Sequence, residues 1–391
     1  MQTVLILGRQ PAIGLAELES LYGVDAVRPV GSEVAIVDAE VDFLRLGASV
    51  KAARLVHILD STNWKEIQNY LQYSASDYLK DLPEGRLSLG ISAYGFDISP
   101  QRIMATGLNL KKVIRLTGRS VRLVPNKEIT LNSAQVIHNK LTESLGWELL
   151  IIRDGNKTII ARTVAEQDIE AYTLRDRGRP KRDARVGMLP PKLAQTIVNL
   201  AASTLTSRRE KLKILDPFCG TGVILQEAGL VGYGVYGTDM DQRMVDYSQE
   251  NLNWLVKNSA YKGFDSRFEV ADATSYQWPH EFDVVASEAY LGRPFTSPPP
   301  PDMLEKNRRD CDTILRKFLI NMRSQTKPGT RLCLAVPAWF VDGKVYRLPL
   351  VDSLEEIGYN RIDFRYASAK DLIYHRDGQI VGRELLVLVR S

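Results

Sequence analysis

The chain has 391 residues, 44% of them apolar, so it can bury more than one core and its size favours two or three domains. The net charge is +4 and the pI about 8.8, which permits a polyanionic partner without requiring one. Three cysteines (Cys219, Cys311 and Cys333) and four scattered histidines lack metal-ligand spacing, so we expect neither a disulfide framework nor a metal site. No apolar run reaches about 18 residues and the first residues do not resemble a signal peptide, so we expect a cytoplasmic protein without a membrane segment.

Short apolar runs in the first 170 residues predict strands interspersed with helices, the pattern of an α+β half. The predicted strands are residues 3–7, 33–37, 87–91, 121–124, 149–153 and 158–163, and the predicted helices are residues 11–22 and 133–145.

The most basic stretch of the chain lies between its two halves. Residues 175–192 carry seven Lys or Arg against Asp176 and Asp183, and their Gly and Pro content predicts a loop or linker. Residues 101–185 hold 17 basic and 9 acidic residues, a larger excess than that of the whole chain. Either this is a solvated charged linker, or the front half meets a phosphate backbone.

Apolar strands alternate with longer helical segments after residue 185, which predicts parallel strands with crossover helices. The SPPPP run at residues 297–301 predicts a stiff loop. The predicted strands are residues 213–215, 235–238, 268–270, 282–286, 331–336 and 384–389.

The stretch KILDPFCGTGVILQEAGL, residues 213–230, contains a strand, a tight loop with two glycines and a helix. Such a loop lies at the carboxyl end of a strand, where α/β proteins bind ligands. The next two strands also end near acids, Asp239 and Asp272, and three carboxylates suit a neutral or cationic nucleoside but repel phosphate. The glycine spacing is neither the dinucleotide fingerprint nor a phosphate loop.

The DPFCGTG motif resembles the first motif of class I S-adenosylmethionine-dependent methyltransferases, in the version found in amino-methylating enzymes. By that resemblance the first loop borders the methionine part of S-adenosyl-L-methionine, Asp239 the ribose and Asp272 the adenine. The cofactor-binding residues that the resemblance implies are Asp216, Pro217, Cys219, Gly220, Gly222, Asp239, Asp272, Ala273 and Glu288.

The resemblance extends to the tRNA guanosine N2-methyltransferases, since VGMLPPKLAQTIVNLAA at residues 186–202 is similar to their helix before the first strand. The front half resembles the ferredoxin-like and THUMP domains of that group, which implies tRNA as the partner. The fold class expected is α/β: a C-terminal Rossmann-like sheet of seven strands with an N-terminal α+β RNA-binding half. The implied domains are residues 1–60 (ferredoxin-like), 61–170 (THUMP-like), 171–186 (basic linker) and 187–391 (methyltransferase). The implied RNA-binding residues are Arg175, Arg177, Arg179, Lys181, Arg182, Arg185 and Arg293.

The stretch EFDVVASEAYLGRP, residues 281–294, departs from the Asp-Pro-Pro-Tyr motif that ends the fourth strand in the resembled enzymes. An ungapped count places Glu288 at the acid and keeps Gly292 in register with the family's glycine. A one-residue slip would instead place Ser287 at the acid and Tyr290 at the tyrosine. We prefer the ungapped count, with Glu288 as the acceptor for an amine N–H and Tyr290 as the stacking surface for the base.

The sequence therefore predicts a tRNA guanine-N2 methyltransferase that uses S-adenosylmethionine. Three alternatives remain open: a DNA or rRNA amino-methyltransferase, a non-catalytic RNA-binding protein that retains the fold, and, least favoured, a nicotinamide dehydrogenase. The residues do not decide whether a small activator subunit takes part, or whether one or two methyl groups are added.

Overall fold

The computed structural model describes residues 2–80, 82–183, 188–203, 212–258 and 263–391. The chain divides into two compact units. The N-terminal unit comprises residues 1–11, 25–44 and 49–169, and the C-terminal unit comprises residues 12–24, 45–48 and 170–391. Two short segments from the beginning of the chain therefore belong to the C-terminal unit.

The N-terminal unit is built on one eight-stranded sheet with the strand order β2-β3-β1-β4-β8-β7-β5-β6. Strand β5 runs parallel to β6 and β7, and the other pairs are antiparallel. Because β4 pairs with β8, strands from residues 1–60 and 61–170 share this sheet, and their assignment to ferredoxin-like and THUMP-like domains stays a prediction. The strands are β1 (Thr3–Leu7), β2 (Val27–Val30), β3 (Val34–Val37), β4 (Ser49–Leu59), β5 (Leu87–Tyr94), β6 (Val121–Leu123), β7 (Gly146–Asp154) and β8 (Lys157–Glu166).

Three helices of the N-terminal unit are α2 (Trp64–Leu79), α3 (Pro100–Leu116) and α4 (Ser133–His138). Asn63 and Ser99 cap α2 and α3 by accepting backbone N–H groups of the first turn. The apolar faces of both helices pack on β5 and β7, with Ile67 and Ile103 fully buried. Burial of this face stabilises both helices and sheet.

The predictions for the N-terminal unit were incomplete, since strands β2 and β4 and helices α2 and α3 were not named among them. Strand β4 was missed because its buried Lys51 breaks the apolar pattern; in the structure its ammonium group pairs with Glu148 at 2.6 Å. The helix predicted for residues 133–145 ends at His138, and Lys140 adopts a positive φ of 55°.

The C-terminal unit is built on a nine-stranded sheet whose main path is β11-β10-β9-β12-β13-β17-β15. The five strands from β11 to β13 are parallel, and β17 enters antiparallel between β13 and β15. Seven strands thus form the path, and short β14 and β16 pair with β13 and β17. The strands are β9 (Lys213–Asp216), β10 (Gly234–Asp239), β11 (Ser266–Val270), β12 (Val284–Glu288), β13 (Arg331–Val341), β14 (Lys344–Tyr346), β15 (Tyr359–Arg361), β16 (Ile373–Tyr374) and β17 (Val381–Arg390).

Helices cover both faces of this sheet, with one apolar core on each face. The proline run ends where Pro301 opens the last helix, the position at which proline is best tolerated. Across the part of the chain that the structure describes, no helix is both long and apolar enough to cross a membrane. The helices are α1 (Pro11–Tyr22), α5 (Ile169–Thr173), α6 (Pro191–Ala202), α7 (Val223–Leu230), α8 (Gln242–Asn258) and α9 (Pro301–Gln325).

Helix α1 is bound into the C-terminal unit through a buried glutamate, Glu17. Its carboxylate accepts the backbone N–H groups of Gly47 and Ala48, at 2.9 and 3.0 Å, and the side-chain amide of Asn199 at 2.7 Å. Glu17 and Asn199 are both fully buried. Burial raises the pKa of Glu17, and these hydrogen bonds oppose that rise.

A second glutamate, Glu19, holds the other side of α1. Its carboxylate accepts the backbone N–H groups of Arg365 and Tyr366, both at 2.9 Å. Ile13 and Ala16 of α1 belong to the same apolar core as α6. The C-terminal unit therefore includes α1, unlike the contiguous domain predicted for residues 187–391.

Candidate functional site

The loop between β9 and α7 takes its shape from two glycines with positive φ, Gly220 at 52° and Gly222 at 80°. A Cβ on Gly222 would lie 2.9 Å from Ser248 Oγ, so a side chain there would be strained by both backbone and packing. Ser248 donates its hydroxyl to Gly220 O at 2.8 Å, and Cys219 N–H donates to Thr238 O at 2.9 Å. The loop is thereby held against β10 and α8.

Asp216, at the end of β9, is buried beneath this loop. It accepts the hydroxyl of Ser287 at 2.5 Å and the N–H of Phe218 at 3.2 Å. Burial raises the pKa of Asp216 to about 7; these two hydrogen bonds oppose the rise, and the nearby carboxylates of Asp239 and Glu288 add to it. Near neutral pH a cation bound beside this group would favour its ionised form.

Asp239 and Asp272 follow the next two strands, as predicted. Asp239 accepts the N–H groups of Gly220 and Asp241, both at 3.0 Å, and burial raises its pKa. Asp272 accepts the N–H and hydroxyl of Thr274 at 2.9 and 2.8 Å. Because parallel strands end at one edge of the sheet, the three carboxylates face a shared space.

That space is a single cavity of about 820 Å³ within the C-terminal unit. The glycine loop and the three acids line one part of it, and Glu288 at the end of β12 with residues 289–293 lines another. Helix α9 contributes Asp310, Thr313, Ile314 and Lys317. The volume falls within the range of ligand pockets, and its lining joins a nucleoside-type site to the loop predicted to be catalytic.

Glu288 ends β12, lines the cavity and forms a salt bridge with Arg383 of β17. Its side chain is 15% exposed, and that of Arg383 is 9% exposed. Ser287 is fully buried and hydrogen-bonded to Asp216, and it does not line the cavity. Of the two counts weighed in the sequence, this geometry favours the one that puts Glu288 at the acid position.

Helix α9 supports the loop that follows Glu288. Gly292 has a φ of 82°, and a Cβ there would lie 2.5 Å from Asn307 Oδ1. Asn307, nearly buried, accepts the Arg293 N–H at 2.9 Å and donates to Arg293 O at 3.3 Å. Tyr290 is 44% exposed and also lines the cavity, so one face of its ring can receive a flat ligand.

Sequence analysis missed Asn307 and Arg383. Neither belongs to a local motif: Asn307 lies 14 residues from its partner Arg293, and Arg383 lies 95 residues from Glu288. Only their type, polar residues within apolar-periodic elements, could have drawn attention to them.

Cys219 is buried beside α8, with its Sγ 3.5 Å from Ser248 Oγ. Burial raises the pKa of the Cys219 thiol well above its ordinary value, which favours a packing role within the glycine loop. Among the described side chains, no group of three or more His, Cys, Asp or Glu could hold a metal ion.

The basic segment differs from the expectation that its cations all face RNA. Arg175 forms a salt bridge with the buried Glu227 at 2.7 Å, and Arg179 is 3% exposed. These two arginines therefore make interior contacts, and we no longer count them among the residues expected to contact RNA. Lys181 pairs with Glu250 at 3.3 Å on the surface. Arg177, Arg182 and Arg293 are exposed, and Arg185 lies outside the described residues.

Comparison with known proteins bears on both halves of the chain. A family model described as a methyltransferase domain matches residues 208–357. The tRNA (guanine(10)-N2)-dimethyltransferase of Methanothermobacter thermautotrophicus is 27% identical over 347 residues, covering 85% of this chain and 88% of that protein. The protein of that name from Pyrococcus abyssi is 28% identical over 286 residues, covering 68% and 75%. The crystal structure of TrmN from Thermus thermophilus has a TM-score of 0.53 at 17% identity and covers 100% of both chains.

These matches confirm the predicted fold class and the predicted cofactor, S-adenosylmethionine, the methyl donor of this fold. The cavity fits that cofactor: its glycine loop leaves room for close approach, and its strand-end groups are carboxylates that suit a cation. The THUMP-like assignment stays a prediction. The C-terminal unit has the class I S-adenosylmethionine-dependent methyltransferase fold, and the chain over most of its length is similar to tRNA guanine-N2 dimethyltransferases.

Proposed function

We propose that this protein transfers a methyl group from S-adenosylmethionine to the exocyclic N2 of a guanosine in tRNA. The observation that carries the proposal is the single cavity, in which a nucleoside-type site with three acids adjoins Glu288 and Tyr290. Methyl donor and target amine can therefore meet without crossing solvent. The relatives with this activity also align with both halves of the chain.

The cofactor half of the proposal assigns one carboxylate to each part of the ligand. Asp216 lies beside the methionine ammonium group, Asp239 receives the ribose hydroxyls and Asp272 lies beside the adenine. Bound S-adenosylmethionine supplies an electrophilic methyl group on a sulfonium centre. The three carboxylates, of which Asp216 is buried, favour this cation, and they disfavour phosphate-bearing nucleotides.

The acceptor half assigns the chemistry to the loop after β12. The N2 amine of guanine is a weak nucleophile because its lone pair is delocalised into the ring. A Glu288 oxygen that accepts its N–H stabilises the positive charge that develops on nitrogen and then takes the proton. Tyr290 provides a stacking surface for a base swung out of the RNA, and Asn307 holds the loop in place.

For RNA binding, we assign the phosphate contacts to the exposed cations Arg177, Arg182 and Arg293. Lys181 and Arg185, which belong to the basic segment of residues 175–192, are included with them. Exposed cations of this kind bind the backbone without reading sequence. A THUMP-like N-terminal unit would add the selectivity for tRNA.

The proposal is tested by incubating the purified full-length chain with unmodified tRNA and methyl-labelled S-adenosylmethionine, followed by mass spectrometry of the nucleosides. We expect label in N2-methylguanosine or N2,N2-dimethylguanosine, and the product also tells how many methyl groups are added. Label in an adenosine, or preferential labelling of DNA or rRNA, would favour the amino-methyltransferase alternative. Binding of tRNA without any transfer would favour the non-catalytic one.

A second expectation concerns the pH dependence of cofactor affinity. Because the pKa of Asp216 is about 7, a proton competes with the ligand's ammonium group below that pH. Lowering the pH from 7 to 5.5 should weaken S-adenosylmethionine binding by roughly tenfold, since only ionised Asp216 attracts the ammonium. Calorimetry at several pH values measures this.

Two controls isolate the role of Asp216. S-adenosylhomocysteine keeps the ammonium group, so its affinity should depend on pH in the same way. 5′-Methylthioadenosine lacks the amino-acid part, so its affinity should not change over this pH range. Asp216→Asn should flatten the pH dependence of S-adenosylmethionine binding. An equal loss of affinity for all three ligands at low pH would show that Asp216 does not face the methionine part.

A further inference from the structure

Two long side chains of opposite charge meet across an intervening strand beside the cavity. Glu288 on β12 is opposite Ala335 on β13, and Arg383 on β17 is opposite Pro337, two residues further along β13. Strands β12 and β17 are two places apart in the sheet, roughly 10 Å at the usual strand spacing. The alternation of side chains puts Glu288, Ala335 and Arg383 on the same face.

The pair depends on a small residue between its members and on the length of Glu288. Ala335, with only a methyl group, is fully buried under the gap that the two side chains bridge. An aspartate at position 288, the residue type of the resembled motif, would be shorter by one methylene and would not span this distance. The glutamate that departs from the motif is thus matched to a distant arginine.

The contact with Arg383 leaves one carboxylate oxygen of Glu288 available to a ligand. Arg383 donates its Nε–H to Oε1 of Glu288, and among the described residues no group takes the other carboxylate oxygen. Arg383 lies behind Glu288 and is not one of the described residues that line the cavity. Its positive charge also offsets the repulsion between Glu288 and the buried Asp216.

We propose that Arg383 is a positioning residue, which holds the Glu288 carboxylate at the cavity with one oxygen turned to the target amine. This rests on the proposed methyl transfer and goes beyond it, because it explains why the chain functions with glutamate where the resembled motif has aspartate. Arg383 itself contacts neither donor nor acceptor.

The test is a double-mutant cycle on the full-length chain, with single-turnover methylation at saturating tRNA and S-adenosylmethionine as the readout. Arg383→Gln should slow the step by roughly tenfold or more, because an oriented charge partner is lost, while both affinities change by less than about threefold. In a Glu288→Gln background, Arg383→Gln should slow it by less than about twofold further. Arg383→Lys keeps the charge, so its single-turnover rate should lie between those of wild type and Arg383→Gln.

Arg361→Gln is the matched control. Arg361 on β15 pairs at 2.9 Å with Glu384, which follows Arg383 on β17 and therefore lies on the opposite face of the sheet. Its replacement should lower the urea midpoint of unfolding about as much as Arg383→Gln does, yet leave the single-turnover rate within about threefold of wild type. An equal slowing by Arg361→Gln, or full additivity of Arg383→Gln with Glu288→Gln, overturns the positioning role.

A second readout does not depend on activity. The same four chains of the cycle, unfolded in urea, should show that the midpoint shifts for Arg383→Gln and Glu288→Gln are not additive. Glu288→Asp should remove most of this coupling, since the shorter side chain cannot reach Arg383. Additive shifts would refute the pair itself, whereas a wild-type chain that forms the pair but methylates no guanosine would refute the proposed function instead.

Discussion

Replacing Glu288 with alanine is expected to slow single-turnover methylation of tRNA by about a hundredfold or more, in line with loss of a positioned acid-base or electrostatic group. The carboxylate stands at the end of β12, lines the cavity and is held by Arg383. Its removal takes away the acceptor that matters most when positive charge develops on the attacking nitrogen. The remaining walls of the cavity are unchanged.

Both substrates should still bind to this variant, because the interaction acts mainly in the transition state. We expect the affinities for tRNA and S-adenosylmethionine to change by less than about threefold, as measured by filter binding and calorimetry. A loss of affinity that matches the loss of rate would mean that Glu288 contributes to binding and not to the chemical step.

Ser287→Ala separates the two counts considered for the motif. The Ser287 hydroxyl donates to Asp216, so its loss should act on cofactor affinity, with little effect on the rate once the cofactor is saturating. If Ser287→Ala slowed the chemical step more than Glu288→Ala did, the slipped count would be correct. If both variants reacted at the wild-type rate, neither side chain would be the acceptor for the amine N–H, and the role would fall to the backbone carbonyls of the same loop.

The parts of the site that the sequence predicted are those formed by neighbours in the chain. The loop from Asp216 to Gly222 contains strand end, turn and helix start within a few residues. Asp239 ends the next strand, and Asp272 lies two residues after the end of the one that follows. Local spacing and the period of apolar residues are enough to place such groups. The parallel sheet with crossover helices followed from the alternation of strands and helices, whereas the class I methyltransferase fold was implied by the resemblance of the DPFCGTG motif.

The parts that the sequence did not predict depend on register between distant strands. Glu288 meets Arg383 only because both are placed around Ala335, and nothing local marks either residue as a partner of the other. Strand β12 extends to Glu288, two residues beyond the predicted end, because it continues its pairing with β13 as far as Ala335. Likewise, Lys51 on β4 looks like a surface residue until the fold brings Glu148, two strands away on β7, to 2.6 Å from its ammonium group.

The domain membership of helix α1 also depends on contacts between residues that are distant in the chain. The bounds of the helix followed from the sequence, but its place in the C-terminal unit did not, because Glu17 accepts the side-chain amide of Asn199 and Glu19 accepts the N–H of Arg365, both far along the chain. A boundary drawn at residue 187 would cut away both glutamates and uncover the apolar face of α6. The C-terminal unit therefore depends for its stability on residues near the start of the chain.

Glu17→Ala is accordingly expected to destabilise the C-terminal unit by about 2–4 kcal/mol, because three buried donors lose their acceptor at once. Those donors are the N–H groups of Gly47 and Ala48 and the amide of Asn199. Hydrogen exchange followed by mass spectrometry reads each unit separately in the intact chain. Protection should fall in peptides from β13 and stay near wild type in peptides from β7.

Glu148→Ala is the matched control, since Glu148 is equally buried and also accepts three hydrogen bonds, in its case all from side chains of the N-terminal unit. Its donors are Lys51 at 2.6 Å, Ser92 at 2.6 Å and Thr163 at 2.7 Å. This variant should give the opposite pattern, with protection lost in β7 and kept in β13, because the network it breaks lies in the other unit. If Glu17→Ala instead loosened β7 and spared β13, α1 would belong to the N-terminal unit, and a catalytic half cut at residue 187 would be expected to fold.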